Sequence, residues 1–242
     1  MRSNLCRAAV MVSILGAAAV AGAQTVDEIV AKNLQAKGGA AKLKAVNSMK
    51  MSGKMRLQGT DVAVTLFTKR PNYQRQEVML PGKTVVQAFD GTTAWMITPE
   101  SDVPQEAPKA MTDMVRNRAE FDNPLIDYKQ RGTTIDLVGK EKLGENAVYH
   151  LKLTTKSGEV QHYFLDADTA LERKTSFEVD MTGSGQKQSF DTELSNYQQV
   201  DGIMLPHSMT QLVNGRTVLE ITIEKVEFNP TIADELFRMP KK

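Results

Sequence analysis

MKMSGKMRL at residues 49–57 and VAVTLFT at residues 62–68 decide what kind of fold this chain adopts. In the first stretch Met49, Met51, Met55 and Leu57 alternate with Lys50, Ser52, Lys54 and Arg56. A period of two sends apolar side chains to one face and charged ones to the other, which is the pattern of a half-buried β-strand. Working outward, strand-like runs follow at 73–80, 84–89 and 93–98, with Pro81-Gly82 and Asp90-Gly91 as turns between them. They resume at 135–138, 148–154, 160–165, 171–179, 187–197, 204–212 and 218–228. Lys156-Ser157-Gly158, Thr182-Gly183-Ser184-Gly185 and Asn214-Gly215 supply hairpin turns. This makes about a dozen sequential strands with no strand–helix–strand alternation, so a parallel sheet is excluded. The predicted class is mainly β with helices: an antiparallel meander curling into a barrel or half-barrel.

Helical signals occur in two places. Thr25 with Glu28 three residues on reads as a capping box, and Val26, Ile29, Val30 and Leu34 fall on one helical face ended by Gly38-Gly39. A shorter helical piece is predicted at 40–46. The strand pattern breaks at 99–108, and a helix follows over 109–121, with Pro108 in its first turn and Met111, Met114, Val115 and Phe121 roughly on one stripe. Asn123-Pro124 stops it.

Residues 1–23 carry the parts of a secretory signal: Arg2 and Arg7, an apolar run over 8–20, then Ala21-Gly22-Ala23. Cleavage after Ala23 is predicted, which leaves residues 24–242 as one domain with no linker-like stretch. Cys6 precedes the apolar run and so cannot be the acylated residue of a lipoprotein. The mature chain has no cysteine and therefore no disulfide. Removing two arginines takes the formal charge from +1 to −1, which attracts no nucleic acid. A hydrophobic content of 41% supports a packed core.

No G-x-S-x-G, H-E-x-x-H or C-x-x-C motif is present, so no catalytic residue, metal site or cofactor is assigned. Gly82-Lys83-Thr84 imitates the end of a phosphate loop, but Glu77 stands where that loop needs glycine. His150, His162 and His207 lack metal-ligand spacing. A two-residue turn at Ser157-Gly158 would set His162 opposite Leu153, on a face with Leu151 and Phe164, as a core histidine. Met49, Met51, Met55, Val64, Leu66, Phe89, Trp95 and Ile97 are predicted to line one continuous concavity. Methionine suits a surface that fits flexible chains. The same residues also read as ordinary packing against the first helix.

Lys69-Arg70-Pro71-Asn72-Tyr73, Asp90-Gly91-Thr92-Thr93-Ala94-Trp95 and Pro99 resemble, in this order, pieces of the LolA-like outer-membrane lipoprotein-sorting proteins, the periplasmic lipoprotein carriers. Val200 through Pro206 (VDGIMLP), Asn214-Gly215, Asn229-Pro230 and Phe237-Arg238-Met239-Pro240 resemble the ending of broader members of that superfamily. The resemblance implies an unclosed antiparallel half-barrel, apolar inside and covered by helices. The insert at 109–121 then becomes a lid, with Met111, Met114 and Val115 as its gate. Leu151, Leu153 and Phe164 join the apolar lining, and Arg70 is structural. The resemblance also implies a monomeric periplasmic carrier of lipid acyl chains or lipoproteins, exchanging cargo with membrane-bound donor and acceptor proteins. A sensor or interaction domain on the same scaffold is the alternative.

Overall fold

A computed structural model describes residues 24–57, 59–180 and 185–240. The predicted signal peptide and all but Gly185 of the predicted turn at 182–185 lie outside the described residues. Two helices open the chain, α1 (Val26–Ala36) and α2 (Ala40–Ala45). The capping box on α1 is closed in both directions: Glu28 N donates to Thr25 Oγ1 at 3.3 Å and Thr25 N to Glu28 Oε2 at 2.9 Å. Six strands follow, β1 (Ser48–Leu57), β2 (Thr60–Lys69), β3 (Tyr73–Leu80), β4 (Lys83–Phe89), β5 (Ala94–Thr98) and β6 (Ser101–Glu106). Helix α3 (Lys109–Arg118) and a long loop then lead to β7 (Thr134–Leu143), β8 (Asn146–Thr154), β9 (Val160–Asp166), β10 (Glu172–Val179), β11 (Gln188–Val200), β12 (Ile203–Val213) and β13 (Arg216–Phe228).

All these strands join one antiparallel sheet in the order β6-β5-β4-β3-β2-β1-β13-β12-β11-β10-β9-β8-β7. Two meanders therefore meet where the first strand pairs with the last. The edges, β6 and β7, are consecutive in sequence, so the segment with α3 joins one edge of the sheet to the other. The sheet is not closed, and it is strongly curved. Five strand spacings, about 24 Å on a flat sheet, separate β4 from β12, yet Val85 and Gln211 line one cavity. The result is an unclosed half-barrel with an apolar concave face.

Alternation and register assign the faces. Met49, Met51 and Met55 on β1 stand opposite Thr68, Leu66 and Val62 on β2, and opposite Phe228, Val226 and Ile221 on β13. Met55, Val64, Val78, Ile221 and Ile223 form the buried centre of the concave side. Ile29 and Val30 of α1 cover Leu151, Leu153 and Leu165 on the same face. A β-bulge at Ser52–Gly53 bends the seam between β1 and β13. Gly53 is required there, because a Cβ would lie 1.9 Å from Thr222 O.

Three expectations are corrected. Residues 101–106 form β6 rather than a break, since Trp95 and Met96 pair with Glu106 and Gln105. The helix of the insert ends at Arg118, and Phe121 lies beyond it, with Arg70 stacked 4.9 Å over its ring. The β8–β9 turn has three residues, not two, between Thr155 and Glu159, whose backbones hydrogen bond at 2.9 Å. Gly158 supplies the positive φ of 87° that this turn needs. The odd residue moves the register by one, so His162 pairs with Lys152 and Leu153 with Gln161. Leu151 and Leu153 remain under α1, while His162 and Phe164 turn to the opposite, convex face.

Candidate functional site

Among the described residues, the concave side holds cavities at four places. The first, about 160 Å³, sits under α3, between Leu66, Phe89 and Met96 of the sheet and Met111 and Val115 of the helix. Thr68, Gln74, Gln76 and Gln87 give it a neutral polar wall. Thr68 Oγ1 is buried and has no hydrogen-bond partner. The second, about 260 Å³, occupies the centre, where Met49, Leu43, Val46, Leu205 and Phe228 face the loop residues Phe121 and Ile126. The third, about 540 Å³, opens beyond α3, lined by Met55, Val78, Leu80, Val85 and Leu219. Small-ligand pockets measure about 300–1,000 Å³, a range that the third of these reaches, with Gln76, Gln87 and Gln211 also in its wall. The fourth differs in character. It measures about 330 Å³ and is lined by Arg131, Lys156, Tyr163, Thr133, Thr175 and Glu120 among others.

The loop over residues 119–133 lies between the central cavity and the polar one, and contacts of residues 122–125 fix its first half. Arg70 grips it with two bonds to Asp122, at 2.6 Å each, and its Nε donates to Val46 O at 2.8 Å. Hydrogen bonding to Asp122 outweighs the burial and holds the guanidinium above its ordinary pKa. The sequence reading of Arg70 as structural fits this geometry. In the middle, Leu125 is buried against Ile29, Val30 and Leu151. Next to Asp122, Asn123 Nδ2 donates to Glu172 Oε1 at 3.1 Å, and Lys37 Nζ donates to the same oxygen at 2.9 Å. Glu172 is 2% exposed. Burial pushes its carboxyl pKa up, but Lys37 and the hydrogen bonds overcome this and leave it below the ordinary value.

The residues predicted to line one concavity separate into two groups. Met49, Met51, Met55, Val64, Leu66 and Phe89 share the concave face, with Met111 and Val115 packed above Phe89 and Ala94. Met114 is half-buried and lies outside the residues lining these cavities. Leu151 and Leu153 are on the concave face but are filled in by α1. Trp95 and Ile97 belong to the other side. Trp95 borders the α3 cavity, yet its indole is committed to the convex face: Nε1 donates to Phe237 O at 2.7 Å, and the Arg75 guanidinium lies 5.3 Å over the ring. There a C-terminal strap with a 3-10 turn at Asp234–Leu236 covers Val86, Ala88, Trp95 and Ile97 through Met239. Lys69 ties it down through Asp234 and Ile232 O, and Arg75 donates to Leu236 O.

Phe164 also leaves the lining. It stacks on His150 at 4.4 Å between ring centroids, and His150 Nε2 lies 2.7 Å from His162 Nδ1. Burial, with the charges of His150 and Lys152, lowers the His162 pKa. Sequence reasoning missed the polar cavity, because Arg131, Lys156, Tyr163 and Thr175 come from a loop, a turn and two strands and show no common spacing. Among the described residues no group of three or more His, Cys, Asp or Glu side chains is placed to hold a metal ion. No helix among them is long and apolar enough to cross a membrane.

No family model matches the chain, and no curated protein matches it in sequence. Solved structures do match in fold. A LolA superfamily protein from Nitrosomonas europaea superposes over 89% of this chain and 98% of its own, with a TM-score of 0.56 and 13% identity. A DUF1329 family protein from Desulfovibrio piger superposes over 88% of this chain and 97% of its own, with a TM-score of 0.58 and 13% identity. At that identity the likeness speaks for the fold: the chain has a LolA-like fold.

Proposed function

We propose that the chain, once exported and cleaved after Ala23, is a monomeric periplasmic binder that shelters lipid or lipoprotein acyl chains in its half-barrel and passes them between membrane-bound partners. One observation carries this reading: beside its buried apolar centre the concave face keeps unfilled cavities, whereas the apolar convex cluster around Trp95 is covered by the C-terminal strap. Burying a methylene is worth about 0.8 kcal/mol, so a long chain gains on the order of 10 kcal/mol before ordering costs. Spontaneous release into water is then slow. Hand-off needs a moving cover, and α3 suits that role: Met111 and Val115 pack against the sheet cluster of Phe89, Ala94 and Met96, and Arg116 donates to Thr92 O at 2.8 Å.

The fold likeness supports the reading by supplying a scaffold in which an open concave face is covered by helices. The test is direct. Mature protein is purified, its organic extract analysed, and a fluorescent fatty acid titrated into it. Saturable uptake is expected, and Met111→Glu should abolish it while the circular dichroism spectrum stays unchanged. A lipid-free extract together with no uptake would rule the carrier out.

A further inference from the structure

We infer that the polar cavity beside the 119–133 loop is the headgroup site of an anionic single-chain amphiphile, whose carboxylate or phosphate pairs with Arg131 while its chain enters the central apolar cavity. This rests on the acyl-chain reading and adds the class of ligand. Three observations support it. First, the two cavities adjoin: Glu120 and Pro124 belong to the walls of both. One is lined mainly by apolar groups such as Met49, Leu205 and Phe228, the other by Arg131, Lys156, Tyr163, Thr133 and Thr175. A molecule spanning them must be apolar at one end and polar at the other.

Second, the polar cavity is built for negative charge. Arg131 and Lys156 are its cations, and Thr133, Thr175 and Tyr163 also line it, the Tyr163 hydroxyl donating to Gln161 Oε1 at 3.5 Å. A guanidinium presents a fork of N–H groups that matches a carboxylate or phosphate two bonds at a time. Burial lowers the Arg131 pKa, yet a guanidinium stays charged at any ordinary pH. It is thus a partly desolvated cation, and an incoming anion relieves that cost.

Third, the chain itself places a carboxylate against this cation. Glu120 forms an ion pair with Arg131, and the Glu120 side chain is 59% exposed against 26% for Arg131. The anion is on the solvent side and the cation within. A pair whose carboxylate stays mostly in solvent contributes little, so a ligand anion that brings its own apolar chain can displace Glu120. Arg131 Nη1 also donates to Asn123 O at 3.3 Å, which keeps the guanidinium in place when Glu120 leaves.

Calorimetric titration of the mature protein with dodecanoate, dodecyl phosphate, dodecanol, acetate and inorganic phosphate tests this. The two anionic amphiphiles should bind at least tenfold more tightly than dodecanol, and the short anions far more weakly than either. Arg131→Gln should bring the anionic amphiphiles down to the affinity of dodecanol. Glu120→Gln should tighten the anionic amphiphiles several-fold and leave dodecanol unchanged, a gain that loss of a structural contact does not produce. Equal affinities for dodecanoate and dodecanol in the unmodified protein overturn the headgroup site and leave the acyl-chain reading standing. So does a Glu120→Gln variant that binds no anion better. Short anions binding as tightly as the amphiphiles would make this a free-anion site instead. If no amphiphile binds, the acyl-chain reading itself falls and takes the headgroup site with it.

Discussion

The two faces of the sheet bury comparable side chains to opposite ends. On the convex face Trp95 is 1% exposed, donates to Phe237 O, and is packed by Met239 and Ala88 with Arg75 over its ring. On the concave face Phe89 is also 1% exposed, yet it shares its face with the cavity under α3, from which the Trp95 indole turns away. Burial is the same and filling is not. What marks a candidate site here is apolar surface that the chain leaves uncovered by its own atoms, because only such surface has free energy left to give a ligand.

The most severe way to break this contrast is Trp95→Ala. It removes a filled aromatic core and a buried hydrogen bond, and should cost about 3–5 kcal/mol of stability. Denaturant unfolding would read it, and uptake of fatty acid per folded molecule should be unchanged. If uptake falls with Trp95 while stability holds, the faces have been assigned the wrong way round.

Next comes the polar support of the covered face. Glu172→Gln leaves Lys37 in a nearly dry site without its counter-charge, at a cost of about 3 kcal/mol. Because the folded carboxyl sits below its ordinary value of 4.5, it holds fewer protons than in the unfolded chain. Its contribution is therefore present above pH 4.5 and lost as pH falls through the folded value. Unfolding free energies measured from pH 7 to pH 3 should fall less steeply for the variant than for the unmodified protein.

The smallest effect on stability is expected at the unfilled surface. Met111→Glu changes a half-buried side chain on the outer layer and should cost about 1 kcal/mol or less. Yet it places a carboxylate against the α3 cavity and should abolish uptake. A large loss of stability there, with uptake intact, would show that α3 is simply core.

Much of the fold was legible because strands and caps are local. The alternation at 49–57, the Thr25–Glu28 box and the turn at Asp90-Gly91 all reappear as read. Residues 101–106 were not legible, because S-D-V-P-Q-E has no apolar period and becomes a strand only by pairing with β5. The site was half legible. Met49, Met51, Met55, Val64, Leu66 and Phe89 do share the concave face. Trp95 and Ile97 do not, since one residue of phase in β5 separates Trp95 from Ala94, and only the second shares a face with Phe89.

By itself, then, the sequence determined most of the strands and turns, and that one face of the sheet is apolar, since these depend on neighbours a few residues away. Tertiary structure alone decided which apolar face stays open. That outcome depends on where the chain is sent afterwards: the C-terminal strap fills the convex side at Trp95, and the 119–133 loop bridges the concave side and leaves room on both of its flanks. Filling is a property of distant segments meeting in space, and no local pattern encodes it.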